Sequence, residues 1–422
     1  MLLALGAVDP VTATFLALLA ISVGLRMWLA ERQVRYVRTH AGRVPEPFAG
    51  RVSLEAHDKA ARYTVAGTRF GQLALGVRSA ILLLWTLGGG LQLWDGAAGS
   101  LGWEPLSMGL VFVVGFFALQ ALLGLPLSAW RTFVLEERFG FNRTKPGLFV
   151  ADFLKELVLL AVLATPLVLL ALWLMRSIAF WWWLPVWGAW IVFQLLVTWA
   201  YPAFILPWFN KLEPLEEGEL RERLEDLVAR TGFSSQGVFV MDGSRRSAHS
   251  NAFFSGIGNK KRIVLFDTLM ETLSAGQLEA VLAHELGHFR LRHVPKMLML
   301  NAVGSAVALA GLALVADRAA FYTGLGVQTM SAHAALVLFF LVTPLIGVLL
   351  QPLFVGMMRR YEFEADAFAG KHAQASDLVG ALVRLNIDNA STLTPDPLYS
   401  AYHYTHPPPA QRVARLEASA PA

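Results

Sequence analysis

Seven long apolar runs, separated by polar segments, leave this chain little choice but to fold in a bilayer. They cover residues 10–30, 70–94, 105–130, 158–175, 178–208, 295–315 and 333–357. A helix needs about 20 mostly apolar residues to cross the hydrocarbon core. Backbone polar groups find no partner in lipid, so only helices and closed barrels span it, and runs of this length ask for helices. The charge content agrees: 16% of the 422 residues are charged, against about 25% in soluble proteins. A mean hydropathy of +0.51 and 13 Trp complete a membrane composition, since Trp gathers at bilayer interfaces. The same apolar content excludes disorder.

The segments between the runs alternate in basic charge. Residues 31–69 hold Arg32, Arg35, Arg38, Arg43, Arg51, Lys59, Arg62 and Arg69, whereas residues 95–104 hold neither Lys nor Arg. Arg131, Arg138, Arg143 and Lys145 follow the third run, Arg176 alone the fourth, Arg318 alone the sixth, and Arg359 and Arg360 the last. Lys/Arg-rich loops stay in the cytoplasm. The alternation therefore predicts seven spans with the N-terminus outside, and a cytoplasmic side carrying both residues 209–294 and the tail from residue 359. These two polar segments are expected to fold together. The chain then divides into residues 1–208, with five spans, and residues 209–422, with the last two. A net charge of +4 is spread between the runs, a pattern of membrane topology rather than of nucleic-acid binding. Arg78, Gln92, Gln120, Gln194, Asn301 and Gln351 fall within the runs. Such residues either hydrogen-bond between helices or line a watery cavity. Asp152, Lys155 and Glu156 read as headgroup-level residues.

There is no cysteine. Thiolate nucleophiles, disulfides and Cys-ligated metals are excluded, and a metal must be held by His, Asp and Glu. Residues 284–288 read His-Glu-Leu-Gly-His. Ser274 and Gln277 upstream have capping-box spacing, and Leu278, Val281, Leu282 and Leu286 follow at helical spacing. His284 and His288 therefore share one helix face and can bind one metal, with Glu285 beside them for a water. Such a pattern occurs by chance in on the order of 1% of chains this long, so a third ligand has to be found. Residues 361–368 read Tyr-Glu-Phe-Glu-Ala-Asp-Ala-Phe. Glu362 and Asp366 share a face; Glu364 points away. Glu362 is assigned as the third zinc ligand and Asp366 as the partner of a ligand imidazole. His293, about 140° from the ligand face if the helix continues, is read as structural or interfacial, as are His372 and His403. No partner is evident for His40, His57 or His333.

Val238–Met241 and Arg262–Phe266 read as short strands, with residues 250–254 between them and a Gly-rich turn at residues 256–259. An edge strand here would bind an extended peptide through its main chain; the plainer alternative is a packing hairpin. His406-Pro407 and Arg412 would stabilise an oxyanion or clamp a carboxylate if the tail folds over the metal. Otherwise the His-Pro turn is a helix cap.

Taken together, Glu136-Glu137-Arg138-Phe139-Gly140-Phe141-Asn142, His249-Ser250-Asn251-Ala252-Phe253-Phe254, the motif at 284–288, Glu362 to Asp366, and His406-Pro407 with Arg412 resemble the integral-membrane zinc metalloproteases of the CAAX prenyl protease 1 family. The resemblance implies an all-α polytopic protein whose seven transmembrane helices enclose a water-filled chamber, with a cytoplasmic gluzincin-like zinc protease domain carrying a small β-sheet. It implies one zinc ion on His284, His288 and Glu362, Glu285 as general base, His406 as a further catalytic group, and substrate contacts from Asn251, Ala252, Phe254 and Arg412. It implies a peptide or prenylated-peptide substrate, a monomer in a lipid bilayer without nucleic acid, and a bacterial inner membrane or the endoplasmic reticulum. Two other readings stand beside it. One is an HtpX-like quality-control protease. The other is a transporter or lipid-binding scaffold with a closed structural zinc. The sequons at Asn142 and Asn389 are expected to carry no glycan.

Overall fold

The computed structural model describes residues 9–233, 237–255 and 262–419. Its membrane part begins with α1 (Pro10–His40), α2 (Leu54–Trp85), α3 (Gly90–Gly99) and α4 (Pro105–Trp130), the last running on through a π-helical turn to Glu136. It continues with α5 (Pro146–Ser177), α6 (Trp183–Ala200) and the short α7 (Leu206–Phe209). Four strands follow, interleaved with α8 (Glu219–Arg230) and leading to α9 (Asp267–Thr272) and α10 (Ala275–Arg290). Then come α11 (His293–Val315), α12 (Ala319–Thr323) and α13 (Ala332–His372), and the tail folds as α14 (Ala375–Asp388), α15 (Pro397–His403) and α16 (Pro409–Ser419). Among the described residues six helices are long and apolar enough to cross a membrane, and α2 with α3, bent by 53°, passes the same test as a pair, which gives seven if the pair is one span.

That bend corrects the expectation of one straight span over residues 70–94. Glycines occupy positions 88 to 90. Gly89 has φ of 77°, and a Cβ at Gly90 would stand 2.8 Å from the Leu84 carbonyl oxygen. Only glycine tolerates such a turn cheaply, and a hydropathy window is blind to it. At the other extreme, α13 has 41 residues, about 60 Å of helix and twice the hydrocarbon thickness. Its apolar first half crosses, and its second half carries Glu362 beyond the membrane.

Two cores are separate. One, in the membrane part, packs Leu91, Phe112, Phe116, Val337 and Leu338. The other joins Leu224, Leu265, Leu269, Leu282, Leu286 and Leu382. The sheet runs β1 (Leu212–Pro214), β2 (Val238–Met241), β4 (Arg262–Phe266), β3 (Ala252–Ser255) in space. The pair β2/β4 is parallel and the outer pairs are antiparallel, which leaves β3 on an edge. Both predicted strands have the predicted bounds. The turn expected at residues 256–259 lies outside the described residues.

Most polar residues in the runs bond between helices. Trp85 Nε1 donates to Gln120, Gln194 Nε2 to Asn301, and Gln351 Nε2 lies 3.4 Å from His403 Nδ1, while Gln92 accepts from the backbone N–H of Gln328 in a loop. Asp152 and Lys155, read as headgroup-level residues, have partners within the protein. Asp152 takes two hydrogen bonds from Arg246, at 2.8 and 3.0 Å, and Lys155 Nζ donates to the Trp208 carbonyl. Asp152 fastens α5 to the loop before β3, and Lys155 fastens it to α7. His333 and His57 also have partners, Asp95 at 2.8 Å and the His40 carbonyl at 3.0 Å.

Candidate metal centre

The capping box forms as read: Ser274 Oγ accepts from Gln277 N–H, and Gln277 Oε1 accepts from Ser274 N–H. It starts α10 at a fixed point, and the buried Leu278, Leu282 and Leu286 lock its rotation. His284 and His288 then face α13. Gly287, between them, lets the helices touch, since a Cβ there would lie 3.0 Å from Ala365 Cα and 3.1 Å from Phe368 Cβ. A bulkier residue would force Glu362 away from the histidines.

His284, His288 and Glu362 offer ligand atoms within 4.8 Å of one another. The two Nε2 atoms are 3.2 Å apart, and the Glu362 oxygens stand 3.2 Å from His288 Nε2 and 3.6 Å from His284 Nε2. Two nitrogens each about 2.0–2.1 Å from a tetrahedral cation stand about 3.3 Å apart, so these separations suit one small divalent metal. A second observation concurs. Glu362 Oε2 is buried without a hydrogen-bond partner among the described residues, an arrangement that is costly unless a cation or a donor completes it. Glu285 is half-buried next to this group, and no hydrogen bond ties its carboxylate among the described residues. Burial raises its pKa, against the pull of His284 and His288.

The residues behind the group differ for the two histidines. His284 Nδ1 lies 2.9 Å from Asp366 Oδ1. Arg412 Nε and Nη2 donate to both Asp366 oxygens, at 2.8 and 2.6 Å. Burial alone would lower the His284 pKa; the hydrogen bonds of Asp366 and Glu362 outweigh it and raise the value to about 9. His288 has no carboxylate of its own behind it. Its Nδ1 meets His293 Nδ1 at 3.1 Å, His293 Nε2 meets Glu364 Oε2 at 3.1 Å, and Arg360 Nε donates to Glu364. His293 is 1% exposed and stacks on Tyr361 at 4.2 Å. The sequence reading missed this relay because it extended α10 past residue 290. Arg292 has φ of 57°, the chain turns, and His293 swings back under His288.

Arg412 lies behind the ligand group. Expected against substrate, it is buried on Asp366, with Nη2 3.4 Å from His284 Nδ1 and Nη1 3.5 Å from Glu362 Oε2. His406 Nε2 reaches 3.4 Å from Glu362 Oε1 with its side chain 66% exposed, so it stands at the mouth of the site. Ala252 and Phe254 are partly buried and pack against the core, Phe254 against Phe233 at 5.2 Å. Phe266 N–H bonds the Asn251 carbonyl. The antiparallel alternation then turns the main-chain groups of residues 252 and 254 toward the open edge. Asn251 is exposed, its Oδ1 accepting from Ala252 N–H at 2.9 Å.

Asn389 holds the approach to β3 in place, a role hidden in the sequence by its place in a sequon. Its Oδ1 accepts from Ser250 N–H at 3.0 Å and lies 3.1 Å from His249 Nδ1, and its Nδ2 donates to the Ser250 carbonyl. His249 in turn stacks on Phe141 at 4.3 Å and lies 3.5 Å from Glu136, which accepts from Tyr63. The block 136–142 thus braces the loop that ends at Asn251.

Comparison with known proteins turns this geometry into a family. Residues 33–211 match the description "CAAX prenyl protease N-terminal, five membrane helices", and residues 214–420 match peptidase family M48. CAAX prenyl protease 1 of Saccharomyces cerevisiae is 36% identical over 74% of this chain and 73% of its own length. The CAAX prenyl protease 1 homolog of Homo sapiens is 32% identical over 96% of this chain and 95% of its own. The chain belongs to the CAAX prenyl protease 1 family. A solved structure titled as Saccharomyces mikatae Ste24p superposes with a TM-score of 0.90 at 30% identity, covering 96% of this chain and 99% of that one. The protein is a multi-pass membrane metalloendopeptidase. The five-helix N-terminal match separates it from the HtpX-like reading, and the peptidase family from the scaffold reading.

Proposed function

We propose that the protein is a zinc metalloendopeptidase that cuts peptide bonds near the C-terminus of CAAX-type, prenylated or similar substrates. The three-donor group of His284, His288 and Glu362, with Glu285 unencumbered beside it, carries the reading. A zinc ion held by these residues would supply Lewis acidity, polarising a carbonyl and acidifying water. Three protein ligands leave one position for chemistry, as in catalytic zinc sites. Glu285 takes the proton from the attacking water and returns it to the leaving amine. His406, at the mouth, donates toward the oxygen on which charge develops. Asp366 holds His284 in the tautomer that presents Nε2 to the metal, and His293 with Glu364 does so for His288. Arg412 acts through Asp366 rather than on substrate. The open edge of β3 with Asn251 takes the substrate in extended form.

The Lys/Arg asymmetry of the loops supports an N-terminus outside and a metal site on the cytoplasmic side, in an inner or endoplasmic reticulum membrane. The names of the relatives support a prenylated substrate. The test is cleavage of one farnesylated CAAX peptide by purified, zinc-loaded protein, with mass spectrometry locating the cut. Cleavage that Glu285→Gln abolishes while zinc is retained is the expected result. Cleavage that persists in Glu285→Gln refutes the role of Glu285.

A further inference from the structure

The cavity on the membrane side of the metal group holds positive charge without counter-charge. It has a volume of about 880 Å³, and among the described residues that line it there is no Asp or Glu. Four arginines do line it: Arg26, Arg78, Arg131 and Arg412. Arg412 is spent on Asp366, and Arg131 lies 3.4 Å from Glu136. Arg26 and Arg78 have no carboxylate or hydrogen-bond partner among the described residues. An unpaired arginine at membrane depth is expensive and marks a functional site.

The two belong to one place. Arg69 Nη1 meets Glu31 at 2.6 Å, which sets the register of antiparallel α1 and α2. Counting from that pair puts Arg26 level with Ala74 and Arg78 about one helical turn, about 6 Å, deeper. Both reach the same space, and two guanidinium groups at that offset can close on one anion. The α2 wall of the cavity is mixed: Thr64, Gly67, Thr68 and Gly71 lie toward the start of α2, and Phe70, Leu75 and Leu82 add apolar surface. Such a wall suits a peptide main chain with apolar side chains beside it.

Its distance from the metal group also fits a peptide. His403, which feels the charge of Arg26, lies near Gln351 at 3.4 Å. Gln351 precedes Glu362 by eleven residues on α13, about 16 Å of helix. An extended peptide advances about 3.3–3.6 Å per residue, so a carboxylate three or four residues beyond the scissile carbonyl lies roughly 10–14 Å from it. The length of an arginine side chain closes the remainder.

We propose that Arg26 and Arg78 form a carboxylate-binding subsite that takes the free C-terminus of the peptide substrate and so sets how far from the chain end the cut falls. This rests on the peptidase reading given above. The test is binding to the zinc-loaded Glu285→Gln protein in neutral-lipid nanodiscs, which needs no cleavage. One fluorescent farnesylated peptide ending in three apolar residues is compared as the free acid and as the C-terminal amide. The acid should bind at least tenfold tighter. Arg26→Gln with Arg78→Gln should erase that difference while leaving the amide affinity unchanged, and Arg26→Lys should keep part of it. Equal binding of acid and amide, discrimination that survives the double substitution, or no binding of either peptide overturns the proposal. Loss of the acid preference when phosphatidylglycerol is added to the nanodisc overturns it too, assigning the site to a lipid headgroup. Failure of the peptidase reading shows separately, as wild-type protein that cuts neither peptide.

Discussion

The metal centre and the cavity beside it treat charge in opposite ways. At the centre Arg412 is buried on Asp366, Asp366 on His284, and Glu364 on both His293 and Arg360. Apart from Glu285 and Glu362 Oε2, which are left for the metal and its water, the charges there are matched before any substrate arrives. In the cavity Arg26 and Arg78 face open space without a partner among the described residues. The first region is built to hold one geometry, and the second is completed by what it binds. Reorganisation during reaction is costly, so fixed charges belong where bonds change. Unmatched charges belong where an oppositely charged ligand has to be recognised.

The contrast can be broken at several points. Glu285→Gln carries the largest effect: loss of general base catalysis should cut turnover by about 10²–10⁴-fold, with metal content unchanged by mass spectrometry. Next come the two kinds of arginine. Arg412→Gln leaves buried Asp366 with His284 as its remaining partner, and removing one partner of a buried pair costs about 3–5 kcal/mol, readable as a lower unfolding temperature in detergent. Arg26→Gln should leave that temperature unchanged or raise it; a drop as large as that of Arg412→Gln would erase the distinction. His293→Ala tests the relay behind His288. It should weaken metal binding by about 10–100-fold in chelator competition while the chain stays folded, and His293→Asn should restore part of the loss.

The smallest expected effect is a pH dependence at the cavity wall. Burial, with the charge of Arg26, lowers the His403 pKa from 6.5 to about 4. A depressed value means the folded chain binds the proton less well than the unfolded chain. The associated stability is full above pH 6.5 and is lost as pH falls toward about 4. The unfolding temperature of wild type should decline over that window, and His403→Gln should flatten part of the decline.

What could be read from the residues depended on range. Local pattern carried the α10 cap at Ser274, the paired histidines one turn apart, and the strands at Val238–Met241 and Arg262–Phe266. The approach of Glu362 to the histidines needed one long-range inference, that two spans return the chain to the same face. Features set by single backbone angles were not legible. The kink at Gly89 splits a run that hydropathy sees as continuous, and the turn at Arg292 moves His293 off the face that helical arithmetic assigns it. Partners distant in sequence were also hidden: nothing near Asn389 announces that it holds Ser250, and nothing near Asp152 announces Arg246.

The central claim is that His284 and His288 on α10 and Glu362 on α13 jointly hold one metal ion. Zinc content of purified wild type, Glu285→Gln and Glu362→Ala, measured side by side after dialysis against a weak chelator, tests it most directly. The account predicts about one zinc per chain in the first two and loss of zinc with loss of cleavage in Glu362→Ala. A Glu362→Ala protein that keeps its zinc and still cuts peptide would contradict it.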